Sequence, residues 1–234
     1  MSNYTTIFFD LFNTLLSVGE VPASVGHFTA DILGVDHEQW NSACFSTSHE
    51  ICRPTEHVHV LHTLAKRIDP EISMERVKQA AEHRQRRFDY ALIQVRDEIQ
   101  EVLQQLKQRG IKLGLISNAS TAEVAAWPNS PLADLIDKAF FSCDCGFKKP
   151  DLDIYHHALK EMGAYNHSSL FVGDGGSDEL TGANQAGLTT VLTTQFSAEH
   201  RIEKVRKRQA VSIHHEIGHI RGVLELLESA NSIR

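Results

Sequence analysis

The first apolar run of the chain predicts a β-strand that is buried on both faces. Ile7, Phe8 and Phe9 follow one another without helical periodicity, and Asp10 comes where this strand should end. In an open α/β sheet the carboxyl ends of parallel strands form the binding crevice, so we expect Asp10 to lie there. Taken alone, Asp10 could equally cap a turn after an edge strand.

The next stretch, residues 16–91, predicts helices rather than strands. Its apolar positions recur at helical spacing, as at Val58, Leu61 and Leu64, and Pro and Gly residues interrupt it several times. We therefore expect several short helices to be inserted directly after the first strand.

From Asp97 onwards the pattern changes to a regular alternation of strands and helices. Several of the amphipathic helical segments end at a glycine. Such alternation requires parallel strands joined by crossover helices, so the expected fold is an α/β, doubly wound parallel sheet. The predicted strands are residues 111–117, 139–142, 169–173, 189–194 and, at the end of the sheet, 210–213, with a closing helix at residues 217–227.

Polar residues occur at or near the ends of several predicted strands. Ser117 and Asn118 end the second strand, Lys149 directly precedes a proline, and Asp174 is followed four residues later by Asp178. The parallel topology would gather these side chains with the carboxylate after the first strand at one edge of the sheet.

In this order, the four segments resemble the four motifs of the haloacid dehalogenase-like (HAD) superfamily, over about residues 5–194. The resemblance implies a HAD-like, Rossmannoid core domain made of residues 1–15 and 92–234. It also implies that residues 16–91 form an all-helical cap domain of the C1 type, which closes over the site and contributes to substrate selectivity.

The acidic residues predict a divalent metal ion. Clustered carboxylates repel one another unless a cation lies among them, and a hard ion with oxygen ligands suits them best. We expect Mg²⁺, held by the side chains of Asp10 and Asp174. The resemblance adds the main-chain carbonyl of Phe12 as a ligand. Asp178 would be either a further ligand or an acceptor that orients a bound water.

With this ion, the expected activity is hydrolysis of a phosphate monoester of a small metabolite. Asp10 would attack phosphorus to give an aspartyl-phosphate, which water then hydrolyses. Lys149 would neutralise the nucleophile and the transferring group, and Ser117, with the backbone amide near Asn118, would hold phosphoryl oxygens. Arg53 in the helical segment is a candidate substrate contact, although an exposed structural role also explains it.

Phe12 departs from the pattern of the superfamily's phosphatases, which usually carry a second Asp here as the general acid. A phenyl ring cannot transfer a proton, and general acid-base help is commonly worth about 10²- to 10⁴-fold in rate. The L-2-haloacid dehalogenases, which have Tyr here and use no metal, are therefore an alternative. They lack the acids found here at Asp174 and Asp178, which favours the phosphatase. A phosphate-binding protein with little turnover is the third alternative.

Composition limits the partners of the chain. Its 234 residues carry a formal net charge of −7, which argues against nucleic acid or an anionic membrane surface as the main partner. No stretch has the pattern of a signal peptide or a membrane span, so we expect a cytoplasmic protein.

The four cysteines form no convincing disulfide or metal-binding framework. The basic run at residues 201–208 is interpreted as a solvated helix face rather than an anion-binding patch.

A second motif, near the end of the chain, points to a different chemistry. His215, Glu216 and His219 match the pattern in which two histidines on one helix face bind zinc. Gly218 weakens the helix that this site needs, and no further histidine follows to complete a three-histidine set. We therefore expect no zinc site here.

Overall fold

The computed structural model describes residues 4–46 and 49–232. Its strands are β1 Thr6–Phe9, β2 Lys112–Ser117, β3 Lys138–Phe141, β4 Ser169–Gly173, β5 Thr189–Thr193 and β6 His215–Ile217. They form one parallel sheet in the order β3-β2-β1-β4-β5-β6. The predicted α/β, doubly wound parallel sheet is thereby confirmed.

Strand β1 lies inside the sheet, and all four of its residues are buried. Its continuous apolar run suits this position because both faces of an internal parallel strand are covered. Phe9 pairs with Leu115 of β2 on one side and with Val172 of β4 on the other. The carboxyl ends of these three strands therefore meet at one edge of the sheet.

Within the described ranges, four α-helices lie between β1 and residue 96 and form the inserted segment. These are α1 Thr29–Leu33, α2 His37–Cys44, α3 His57–Ile68 and α4 Met74–Ile93. Side chains cap three of them, because Asp36, Glu56 and Ser73 accept hydrogen bonds from the first backbone amides of α2, α3 and α4. Apolar residues such as Leu64 and Val77 form a buried cluster within this segment. The helical insertion is as predicted, and its division from the core at residues 16 and 91 stays a prediction.

The remaining helices flank the sheet. They are α5 Asp97–Gln108, α6 Ser142–Cys145, α7 Leu152–Glu161, α8 Glu179–Gln185, α9 Glu199–Arg208 and α10 Gly222–Ser232. Phe8 and Phe9 of β1 belong to two different apolar clusters, as expected for successive residues that face opposite sides of a strand. Within the described ranges, no helix combines the length and the apolar character that crossing a membrane requires.

The end of the chain differs from the prediction in its last strand. Ala210–Ser212 is a 3-10 turn, closed by a hydrogen bond of 2.8 Å from the Ser212 amide to the Gln209 carbonyl. Val211 is 92% exposed, so it does not supply the buried side chain that a strand there would need. The last strand is β6 instead, and the closing helix begins at Gly222. Because β6 contains His215 and Glu216, no single helix presents the zinc-like motif.

Candidate active site

Asp10 lies directly after β1 and is buried. Its backbone amide donates to the Val172 carbonyl at 2.9 Å, which extends the pairing with β4 by one residue. Its Oδ2 accepts a hydrogen bond from Thr14 Oγ1 at 2.9 Å. The chain turns sharply between them, with Asn13 in a left-handed conformation at φ 62°. The strand end and this turn together fix the Asp10 carboxylate.

Lys149 reaches the same carboxylate from the loop before α7. Its Nζ donates to Asp10 Oδ1 and to Glu179 Oε2, each at 2.5 Å. The Asn118 side chain fixes the main chain of Lys149, because it donates to the Lys149 carbonyl and accepts from the Lys149 amide, both at 2.8 Å. Burial alone would lower the pKa of Lys149, but the two carboxylates raise it above its usual range. Lys149 is therefore a permanent cation beside Asp10.

Asp174, which follows β4, and Glu179, which begins α8, complete a cluster of three buried carboxylates. One oxygen from each of Asp10, Asp174 and Glu179 lies within 4.8 Å of the others. Burial raises the pKa of Asp174 and of Glu179, and the neighbouring Asp10 carboxylate raises both further. The second contribution, that of Asp10, is repulsion between carboxylates, so the cluster favours additional positive charge.

The loop between β4 and α8 holds two of these carboxylates with main-chain amides. Gly176 N donates to Asp174 Oδ1 at 2.8 Å, and Gly175 N donates to Glu179 Oε1 at 2.9 Å. Gly175 has φ 79°, and a Cβ atom there would meet the side chain of Val205. The loop therefore requires glycine at this position.

Asp178, the predicted partner of Asp174, lies outside the carboxylate cluster. Its side chain is 46% exposed and pairs with Arg208, whose Nε lies 2.5 Å from Oδ1. Glu179 takes its place because α8 begins at Glu179, whereas Asp178 precedes the helix with a left-handed backbone. The sequence did contain a signal for this, since Glu179 stands four residues before Ala183, on the same buried helix face.

Ser117, at the end of β2, is fully buried. Among the described residues, its Oγ finds no hydrogen-bond partner. Leaving a buried hydroxyl unpaired costs about 1–3 kcal/mol, so this atom is suited to meet an oxygen of a ligand. Ser117 directly precedes Asn118, which holds Lys149 as described above.

Phe12 forms an aromatic contact with the helical segment where a general acid was expected. Its ring centroid lies 5.2 Å from that of Phe88 of α4, in an edge-on arrangement. The guanidinium of Arg84, one helical turn earlier, covers Phe88 at 4.5 Å and pairs with Glu123 of the core. Burial alone would raise the pKa of Glu123, but Arg84 and His49 hold it below its ordinary value. This ion pair joins α4 to the core beside Phe12.

Two arginines that the sequence analysis considered differ in their relation to the site. Arg53 is 74% exposed and pairs with Glu50 in the same loop, at 3.2 Å, so its predicted role in substrate binding has no support from the geometry. Arg201, by contrast, donates to Asp174 Oδ2 at 2.9 Å. The basic run of α9 is therefore more than a solvated face, because it contacts the carboxylate cluster.

The donor set fits a hard divalent cation such as Mg²⁺. All three side chains are carboxylates, and hard cations prefer oxygen ligands. When every group is ionised, the three negative charges exceed the two positive charges of Lys149 and Arg201 by one. A cation is thus favoured here on charge and on ligand type. The carbonyl of Phe12 stays a prediction as a further ligand.

A buried Asp after an internal strand is joined by a lysine and two further acids, which together form a candidate acidic site on a doubly wound sheet. A family model described as haloacid dehalogenase-like hydrolase matches residues 4–187. The chain belongs to this family. The resemblance of the four sequence segments is thereby confirmed.

Similar proteins include both phosphatases and dehalogenases. Glyceraldehyde 3-phosphate phosphatase of Methanothermobacter thermautotrophicus is 29% identical over 121 residues, which are 50% of this chain and 53% of that protein. (S)-2-haloacid dehalogenase of Pseudomonas sp. (strain YL) is 29% identical over 134 residues, 57% of this chain and 55% of that protein. The chain thus spans about half the length of these curated relatives. A crystal structure of a dehalogenase with an intermediate complex has a TM-score of 0.70 and 19% identity, covers 97% of this chain and 98% of that chain, and shows a shared fold.

Proposed function

We propose that this chain is a Mg²⁺-dependent phosphate monoester hydrolase that acts on a small phosphorylated metabolite. The observation that carries the proposal is the cluster of three buried carboxylates, Asp10, Asp174 and Glu179. A metal-free site with a carboxylate nucleophile has no use for two more anions, because their charges would repel an anionic substrate. With a divalent cation among them, the same carboxylates allow a phosphate dianion to bind.

Asp10 would be the nucleophile. Lys149 and Thr14 each donate to one of its oxygens, so the carboxylate is oriented before substrate arrives. Attack on phosphorus forms the bond between the Asp10 oxygen and phosphorus and breaks the bond to the leaving-group oxygen, which departs as an alkoxide or phenoxide and takes its proton from water. Water then attacks the phosphorus of the aspartyl-phosphate, releases inorganic phosphate and restores the carboxylate.

Three groups of the chain would hold the transferring phosphoryl group. Lys149 lies beside the nucleophile and balances charge on the equatorial oxygens. Ser117 offers a buried hydroxyl that has no other partner among the described residues. The backbone amide near Asn118 would supply a further donor. Because Asn118 also fixes the main chain of Lys149, these donors are held relative to one another.

Asp10, Asp174 and Glu179 would hold the Mg²⁺, with the Phe12 carbonyl as the ligand expected from the family. Glu179 replaces Asp178 in this assignment. When bound, the ion would offset the charge of the carboxylates and polarise the phosphoryl oxygens, which is the usual contribution of a metal to phosphoryl transfer.

Residues 16–91, with helices α1–α4, would act as the cap. Phe88 of α4 meets Phe12, the position at which related phosphatases usually carry their general acid. The side of the site that receives the leaving group would therefore be aromatic. Such a surface favours leaving groups that depart without protonation.

Hydrolysis of p-nitrophenyl phosphate tests the proposal. We expect turnover that needs Mg²⁺, that stops in chelator and that falls by about 10³-fold or more in Asp10→Asn, because this change removes the nucleophile. Intact-mass measurement of rapidly quenched protein should detect the phosphorylated form of the wild type and not of the variant. A panel of phosphorylated metabolites then identifies the substrate class.

The dehalogenase alternative is favoured by one observation, the aromatic residue Phe12 at the position of the missing acid. Release of halide from an L-2-haloacid in the presence of chelator, without phosphatase activity, would establish it. Silence in both assays together with binding of inorganic phosphate would establish the low-turnover binding protein. The cytoplasmic location, like the exclusion of nucleic acid and membrane partners, stays a prediction.

A further inference from the structure

Two cations of the chain partly neutralise the carboxylate cluster, and their side chains are buried to different degrees. Lys149 bridges Asp10 and Glu179, and its side chain is 2% exposed. Within the described part of the chain, Arg201 pairs with Asp174 alone, and its side chain is 38% exposed. Arg201 can therefore turn into solvent without crossing the core, whereas Lys149 cannot.

The contact of Arg201 is not needed to hold the loop between β4 and α8. Arg208, at the other end of α9, pairs with the exposed Asp178 of this loop. The side chain of Gln209 donates to the Gly175 carbonyl at 2.7 Å and accepts from the Thr181 amide at 3.1 Å. These contacts remain when Arg201 moves. The ion pair of Arg201 therefore acts on the charge of Asp174 more than on the shape of the loop.

We propose that Arg201 is an exchangeable counter-ion of Asp174, which leaves the carboxylate when a divalent cation binds and thereby sets the metal affinity of the site. This inference rests on the metal requirement of the proposed function. A guanidinium 2.9 Å from Asp174 Oδ2 repels a second cation that approaches the same oxygen. Without metal, the same guanidinium stabilises a carboxylate that would otherwise be buried without a cationic partner.

Metal binding to the full-length protein, without substrate, tests the exchange. Mg²⁺ is measured by isothermal titration calorimetry and Mn²⁺ by electron paramagnetic resonance. Arg201→Gln removes the competing charge, so we expect about tenfold tighter binding. Arg201→Lys keeps the charge and should stay near the wild type. Arg206→Gln removes the same charge from the same helix, where Arg206 pairs with Glu199 and Glu216 and touches neither the cluster nor its loop, and its affinity should change by no more than about twofold.

Thermal unfolding gives a second readout. Without metal, Arg201→Gln should unfold at a lower temperature than the wild type, because Asp174 has lost its partner, and saturating Mg²⁺ should remove most of this difference. The inference is wrong if Arg201→Gln binds metal no more tightly than the wild type, or if neither protein binds metal. Failure of the proposed function has a different signature, namely metal exchange as described but no hydrolysis of any phosphate ester.

Discussion

The core side and the helical side of the candidate site handle charge in opposite ways. On the core side, three carboxylates outnumber two cations, and the excess negative charge favours the binding of a metal cation. On the helical side, Arg84 and Glu123 neutralise each other, and Phe12 and Phe88 pack as apolar neighbours. Under the proposed function, the core side supplies the chemistry, and the helical side holds the two parts of the chain together. Changes on the two sides should therefore affect different measurements.

The largest effect is expected on stability, from the helical side. Arg84→Met leaves Glu123 buried without its main cationic partner, which should lower the free energy of unfolding by about 3 kcal/mol or more. Arg86→Met, two residues along the same helix at an exposed position, should change it by less than about 0.5 kcal/mol. Chemical denaturation measures both. Equal stability of the two variants would show that the Arg84–Glu123 pair does not join the parts of the chain.

The Arg84–Glu123 ion pair should also make the free energy of unfolding depend on pH. The folded-state pKa of Glu123 lies below its ordinary value of 4.5, so the stability contributed by this carboxylate is present above pH 4.5 and is lost as the pH falls through the folded-state pKa. The difference in unfolding free energy between the wild type and Arg84→Met should therefore shrink on acidification. A difference that stays constant down to the acid transition would contradict this assignment.

The next effect is expected on metal-dependent turnover, from the core side. Glu179→Gln removes one carboxylate from the cluster and one partner of Lys149, so activity at limiting Mg²⁺ should fall by about 10- to 100-fold. Asp178→Asn is the matched control, because it changes the neighbouring acid, which is exposed and pairs with Arg208. Its activity should stay within about twofold of the wild type. An equal loss of activity in both variants would indicate that Asp178 contributes to the metal site as much as Glu179 does.

The contrast between Asp178 and Glu179 also shows how far the sequence could predict the site. Asp10, Ser117 and Asp174 stand at or directly after buried strands, and parallel topology brings such ends to one edge, so their placement could be expected. The choice between two adjacent acids depends instead on the residue at which α8 begins. Helix boundaries are the least certain feature of a sequence pattern, and a shift of one residue there reverses which acid faces inward.

Contacts between distant segments could not be predicted from the sequence pattern, for a different reason. Arg201 reaches a carboxylate 27 residues earlier in the chain, and Arg84 reaches one 39 residues later. Nothing local distinguishes either arginine from its neighbours, since a charged residue on an amphipathic helix reads as solvated. Only the docking of α9 and α4 onto the core decides which charges become partly buried. The catalytic and binding roles of all these residues stay predictions until they are measured.

The smallest effect, and the one that bears most directly on the comparison, concerns Phe12 at the boundary of the two sides. Phe12→Asp would introduce a proton donor where related phosphatases usually have one, and should raise turnover of alkyl phosphates by about tenfold, below the usual contribution of a general acid because the surroundings are apolar. Aryl phosphates, whose leaving groups need no proton, should gain little. Phe12→Asn is the matched control, since it also loses the contact with Phe88 but cannot donate an acidic proton. The contrary outcome is that both variants fold while Phe12→Asp hydrolyses alkyl phosphates no faster than Phe12→Asn. In that case the absent acid does not limit turnover, and the Phe12–Phe88 contact serves to bind the substrate or to dock α4.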